Sequence, residues 1–221
     1  SKHPLERTLY VRHMHMREMK AKWDKPGATA VVEHGANPGL VSHLVKKALV
    51  DIANRAIKDG IATKEVEAAL ASENYPALAQ ALTVKVIHIA ERDTQISDKP
   101  KQVNEFVNTW SVEGFYEEGV APAELGWGTH EKIKPKDTNM ALSNEYQLIV
   151  DSIGCESWAK TFTPISKEMT GMLIRHEECY TLAKKLAIKK DNKLEYMPSC
   201  YYIYKPCFAS MESLKEVRSE E

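Results

Sequence analysis

The sequence predicts an α+β fold with an α/β-like start, in which helices pack on one face of a mixed β-sheet. Three observations carry that reading. The apolar run Ala28–Glu33 ends at His34-Gly35, and a polar turn, Ala36-Asn37-Pro38-Gly39, leads into an amphipathic stretch from Leu40 to Asp59. Strand, short turn and helix in that order make the opening unit of an α/β protein, whose sites lie beyond the carboxyl ends of strands. Residues 82–92 alternate in a strand-like way and then turn abruptly charged at Glu91-Arg92-Asp93-Thr94-Gln95. No internal repeat or low-complexity linker divides the 221 residues, so residues 1–221 read as one domain.

Each element has its own justification. Residues 7–23 read as a helix, on a loose stripe of Leu5, Leu9, Val11, Met14, Met16, Met19 and Trp23 that is stopped by Asp24-Lys25-Pro26-Gly27. Ala28–Glu33 reads as a buried strand. Leu40, Leu44, Ala48, Leu49, Ile52 and Ala56 recur at helical spacing, and Asp59-Gly60 ends that helix. Short helices are expected over 63–71 and 74–82, a strand over 82–92, β or mixed structure over 106–112 and 141–153, and a helix over 166–189 with a cap-like Ser166. A last aromatic strand is expected over 194–204, and the charged stretch 212–221 is expected to fray or to be cut from something longer.

Composition excludes several function classes. With 43% hydrophobic and 28% charged residues, the chain is not a disordered one. Its 30 basic and 31 acidic residues leave a net charge of -1, which gives no global attraction to nucleic acid or to an anionic membrane. No apolar run approaches the roughly 18 residues of a membrane span. Cys155, Cys179, Cys200 and Cys207 contain no C-x-x-C pair and read as reduced thiols of a cytoplasmic protein. Neither a G-x-G-x-x-G nor a Walker motif is present, so no phosphate-binding loop is expected.

The candidate chemistry is acidic and aromatic. Glu91 and Asp93 at the end of a strand suit a cationic group in a crevice. Trp110 lies in the polar context Asn108-Thr109-Trp110-Ser111, where an indole face beside carboxylates attracts an ammonium ion. Glu113, Glu117 and Glu118 follow closely. Asn37 is placed to cap the helix after the turn or to serve a ligand. His176 is a candidate acid or base, whereas His34 and His88 read as structural. His130-Glu131 gives only a weak hint of metal, and no metal site is expected. The set suits a diamine or flexible polycation better than an anion.

Five blocks in order carry a resemblance: Val32–Ser42 (VEHGANPGLVS), His88–Gln95 (HIAERDTQ), Asn108–Gly119 (NTWSVEGFYEEG), Gly126–Glu131 (GWGTHE) and Thr170–His176 (TGMLIRH). Together they resemble the bacterial homospermidine synthases of the saccharopine-dehydrogenase-like group, over about residues 7–208. That resemblance implies an NAD-dependent aminobutyl transfer from one putrescine to another, releasing ammonia, and a substrate-binding and dimerisation domain that forms a homodimer. It implies that Trp110 stabilises a cationic intermediate and that Glu118 binds the amine end. Glu91 would set the local negative field, Asn37 would orient substrate next to the nicotinamide, and His176 would line the pocket. The family's NAD-binding Rossmann domain has no counterpart here, so the chain is expected either to be part of a two-domain enzyme or to take that domain from another chain, and to be inactive by itself. Saccharopine or carboxynorspermidine dehydrogenases would need a cationic clamp, for which only Arg92 and Arg175 are candidates. A non-catalytic dimerisation module is the remaining alternative.

Overall fold

The computed structural model describes residues 6, 8–32, 34–134, 136, 138–140 and 146–219. The first helix, α1 (Leu9–Ala21), is capped at both scales of sequence distance. Thr8 Oγ1 accepts from Val11 N at 3.1 Å, and the distant Glu124 carboxylate accepts from Leu9 N at 2.8 Å and Tyr10 N at 3.4 Å. Burial pushes the Glu124 carboxyl above its ordinary range, opposed by these backbone donors. Its partners are the amide groups that an α-helix leaves unsatisfied at its start.

The strand expected over residues 28–33 is not formed. Residues 24–32 carry no strand, and Val31 and Val32 are 73% and 58% exposed; Glu33 lies outside the described residues. β-branched residues favour extended backbone, but a strand exists only where a neighbour completes its hydrogen bonds, and no described strand pairs with this stretch. The turn that follows is well defined. Gly35 N donates to Pro38 O at 2.6 Å and Leu40 N to Gly35 O at 3.0 Å, around a cis Asn37-Pro38 bond. Gly39 has φ +124°, and a Cβ there would lie 3.0 Å from the Gly35 backbone, so the turn requires glycine.

α2 (Leu40–Lys58) follows the expected boundaries, with Gly39 rather than Asn37 at its N-cap. Its buried stripe differs from the expected one. Leu49 and Ala53 are buried with Val45 against them, while Leu40, Leu44 and Ile52 are exposed. The helix has two apolar stripes, and burial selected the second. α3 (Lys64–Ala71) and α4 (Tyr75–Ala81) are capped by Thr63 and Asn74 side chains and close a helical core of Leu49, Ala53, Val66, Ala69, Leu78, Ala79 and Leu186.

The rest of the chain builds a mixed sheet. β1 (Val86–Arg92) leads to α5 (Val112–Val120) and β2 (Pro122–Gly126), then β3 (Thr138–Met140) and β4 (Gln147–Ile153). A hairpin of β5 (Trp158–Thr163) and β6 (Lys167–Leu173) precedes α6 (Glu177–Leu186), the small ribbon β7 (Ile188–Lys190) and β8 (Lys193–Tyr196), then β9 (Ser199–Lys205) and α7 (Phe208–Ser219). The main sheet runs β3-β4-β2-β9-β6-β5, antiparallel throughout, and β1 adds the parallel pairing by joining β9 from Val86↔Ser199 to Arg92↔Lys205. β9 therefore has β1 along one edge, while β2 at Cys200 and β6 at Ile203 and Tyr204 share the other. Tyr202, Ile203 and Tyr204 are fully buried at this centre.

Helices cover the face that carries Cys200, Tyr202 and Tyr204. α6 lies so close that a Cβ on Gly126 would meet Cys179 O at 2.1 Å, and α7 packs Leu214 against Gly119 of α5. Three expectations are corrected here. Residues 106–112 form no strand but a turn entering α5. The helix expected over 166–189 is β6, a short crossing and α6, because the 167–173 run is claimed by β5 and β9 as a ladder. Residues 212–219 continue α7, with Ser213 and Leu214 buried, rather than fraying; residues 220 and 221 lie outside the described residues. Of residues 141–153, 147–153 form β4, and 141–145 lie outside the described residues. Among the described residues, no helix is long and apolar enough to cross a membrane.

Candidate active site

The carboxyl end of β1, the turn at Asn37-Pro38, the start of α5 and the entrance to α6 enclose a cavity of about 580 Å³. Asn37, Glu91, Trp110, Glu118 and His176 all line it, so the five residues singled out from sequence come together. Arg92, Asp93, Thr109, Ile174 and Tyr204 complete much of the wall.

The strand registers explain the convergence. Glu91 pairs with Tyr204 across the parallel β1/β9 ladder, which brings the end of β1 beside the aromatic centre of β9. Tyr202 OH donates to Glu91 Oε2 at 2.7 Å, and Asn37 Nδ2 donates to Glu91 Oε2 at 3.0 Å and also to Tyr202 OH. The Asn37 amide is thus tied to the sheet rather than to its own helix. Burial and the adjacent Glu91 carboxylate hold the Tyr202 phenol protonated, well above its ordinary range.

His176 stacks on Tyr202, with ring centres 4.3 Å apart and planes at 21°. Its Nδ1 pairs with Glu178 Oε2, and Glu178 Oε1 accepts from Gly39 N at 2.8 Å. One buried carboxylate therefore fixes both the imidazole and the Asn37-Pro38 turn. Burial opposes charge on His176, but the Glu178 hydrogen bond and surrounding carboxylates outweigh it and raise its pKa. Burial likewise opposes charge on Glu178, and the bonds from His176 and Gly39 N overcome it, leaving its pKa lowered. His176, Glu177 and Glu178 offer ligand atoms within 4.8 Å of one another, but the Glu178 oxygens are already committed to His176 and Gly39.

Glu118 lies on α5 facing this cluster. Burial pushes its carboxyl up to about 7; the charge of His176 pulls it down, and the Glu91 carboxylate pushes it further up. A carboxyl poised near neutrality is equipped to exchange a proton with a group bound in the cavity. Trp110 is 40% exposed, and its Nε1 donates to Tyr204 OH at 3.1 Å. Asp93 is held by Thr109 Oγ1 and by Gln95 N at 2.9 Å.

His34, His88, His130 and Glu131 do not line the cavity. His34 and His88 are exposed, His34 against His43 and His88 against Thr161. His130 and Glu131 meet at 3.3 Å in the loop after β2, where Glu131 Oε1 accepts from Ser199 Oγ and Tyr201 OH at 2.8 Å. Arg92 binds Ser166 Oγ and Arg175 binds Glu117, so both candidate clamps have partners. Sequence reasoning missed Tyr202, Tyr204 and Glu178. The alternation of Cys200, Tyr202 and Tyr204 was the available sign of the first two; Glu178 gave none.

Fold and site define the class: an α+β domain with an acidic, aromatic-lined cavity where β1 ends. The saccharopine dehydrogenase C-terminal domain family matches residues 35–219, and the chain belongs to it. The chain is 42% identical over 202 residues to a homospermidine synthase of Mesorhizobium japonicum and 40% identical over 202 residues to one of Blastochloris viridis, covering 90% of this chain in each case. The crystal structure of the homospermidine synthase of Legionella pneumophila in complex with NAD superposes with a TM-score of 0.81 at 34% identity, over 99% of this chain and 45% of that one. The chain spans 41% of the length of each of the two curated relatives.

Proposed function

We propose that this chain is the substrate-binding part of a cytoplasmic, NAD-dependent homospermidine synthase, which converts two putrescines to homospermidine and ammonia. The observation that carries the reading is the convergence of Asn37, Glu91, Trp110, Glu118 and His176 on one cavity, in a chain 42% identical to an enzyme of that name. The carboxylates of Glu91, Asp93 and Glu118 draw a dication out of water, and the indole of Trp110 faces positive charge that develops on the substrate. Glu118, near neutrality, takes a proton from the amine. Glu178 and Tyr202 hold His176 and Asn37 in place around it.

The cavity suits the reactive end of NAD and not its phosphates. Asn37, whose NH2 is bound to Glu91 and Tyr202, offers its amide oxygen to a nicotinamide, and the acids tolerate a positive ring, whereas the same acids repel a pyrophosphate. NAD, when bound, supplies a hydride acceptor that later returns the hydride. Its phosphates belong to polypeptide beyond this segment, and the exposed, unpaired stretch with Val31 and Val32 and the exposed stripe of α2 are surfaces for such a domain or for the second subunit of a homodimer.

The full-length protein, supplied with putrescine and catalytic NAD, is expected to form homospermidine and ammonia by chromatography. Turnover of lysine-derived amino acids in place of putrescine would instead assign the chain to a saccharopine-type dehydrogenase.

A further inference from the structure

We propose that Tyr204 and Gly114 are positioning residues that fix the plane of the Trp110 indole at the cavity wall. The inference rests on the reading of Trp110 as the group that faces substrate charge. It concerns what orients the ring, which determines whether its π face or its edge meets the cavity.

Cation–π attraction depends on that orientation, because the face of an aromatic ring is negative and its edge positive. Trp110 precedes α5 and is 40% exposed, so burial alone does not fix it. Three contacts do. The indole Nε1 donates to Tyr204 OH at 3.1 Å. The Phe115 ring meets the indole edge to face at 6.1 Å and 76°, and meets Tyr204 at 6.2 Å and 84°. On the remaining side, a Cβ added to Gly114 would stand 2.7 Å from Trp110 Cζ3.

The two positioning residues act from rigid elements. Tyr204 is buried in β9 and is the direct ladder partner of Glu91, so the phenol that holds the indole and the acid at the end of β1 share one register. Gly114 sits in the first turn of α5, which Ser111 caps by accepting from Gly114 N at 3.1 Å. Glycine inside a helix is less favourable than alanine, so helix stability does not account for it. The seat beneath the indole does.

The test is a comparison of Trp110→Phe, Tyr204→Phe, their double variant and Gly114→Ala in the full-length enzyme, with melting temperatures as a folding check. Tyr204→Phe is expected to lower kcat about fivefold to tenfold with KM for putrescine changed less than about threefold. In the Trp110→Phe background, which lacks the Nε1 donor, Tyr204→Phe should have no further effect. Gly114→Ala should lower kcat while the melting temperature holds or rises. In 5-fluorotryptophan-labelled enzyme, the fluorine resonance of Trp110 should move in Tyr204→Phe and in Gly114→Ala while that of Trp158 stays. Equal losses from Tyr204→Phe in both backgrounds, or an unmoved Trp110 resonance, would overturn the assignment. If Trp110→Phe and Trp110→Ala both keep full kcat, the reading of the indole as a charge stabiliser fails, and the resonance shifts alone then decide whether Tyr204 and Gly114 hold the ring.

Discussion

At the scale of single residues, the cavity depends on carboxylates in different states. Glu178 is held ionised by a histidine and a backbone amide, while Glu118 is pushed up to about 7 by burial. Different environments, not different side chains, separate a fixed clamp from a group able to exchange protons. Because the folded-state pKa of Glu118 lies above its ordinary 4.5, the stability it contributes is complete below pH 4.5 and is lost as pH rises through about 7. Glu118→Gln should therefore stabilise the protein at pH 8 by on the order of 1–3 kcal/mol, and little at pH 4, in urea denaturation. The same substitution should remove a limb near pH 7 from kcat/KM for putrescine, on which the native enzyme gains activity as the carboxyl ionises. An unchanged profile would remove Glu118 from proton transfer. At the same scale, Trp110→Ala should damage turnover far more than folding, since a half-exposed indole contributes little to the core.

At the scale of elements, the contact between β2 and α6 is made by an absent side chain. A Cβ on Gly126 would meet Cys179 O at 2.1 Å and the Ala183 Cβ at 2.8 Å, so Gly126→Ala must push helix from sheet. A loss of about 3 kcal/mol is expected in urea denaturation, and native stability would show that the two elements separate freely. The elements also show what a sequence makes legible. The 40–58 helix could be read because its spacing and its Gly60 stop are local, and α3 and α4 fall within the short helices expected over 63–71 and 74–82. The strand at 86–92 was legible from alternation and its charged end. Residues 28–32 and 167–173 were misread for one reason: each has an apolar pattern whose meaning depends on a neighbour. The first lacks a strand partner among the described residues, and the second has two. In the cavity, Asn37, Glu91, Trp110, Glu118 and His176 could be named from chemistry and resemblance. Tyr202 and Tyr204 become wall residues only through the β9 register, and Glu178 only through the path of the turn at Gly39.

At the scale of the whole molecule, the chain contains a built cavity and no glycine-rich phosphate loop. The 221-residue chain should therefore show no useful affinity for NAD in calorimetry, while the full-length protein binds it. Tight NAD binding by the chain itself would overturn the division of labour proposed above. Topology adds a matter of timing. Among the described residues β1 has a single strand partner, β9, and Glu91 and Tyr202 stand 111 positions apart. At ordinary rates of synthesis the acid waits on the order of ten seconds for its tyrosine to leave the ribosome. During that interval the β1 edges are unpaired, and the 86–90 stretch Val-Ile-His-Ile-Ala is the kind of segment that other chains capture. The parallel pairing that assembles the cavity can form only once β9 has been made, so a non-local contact governs when the site appears.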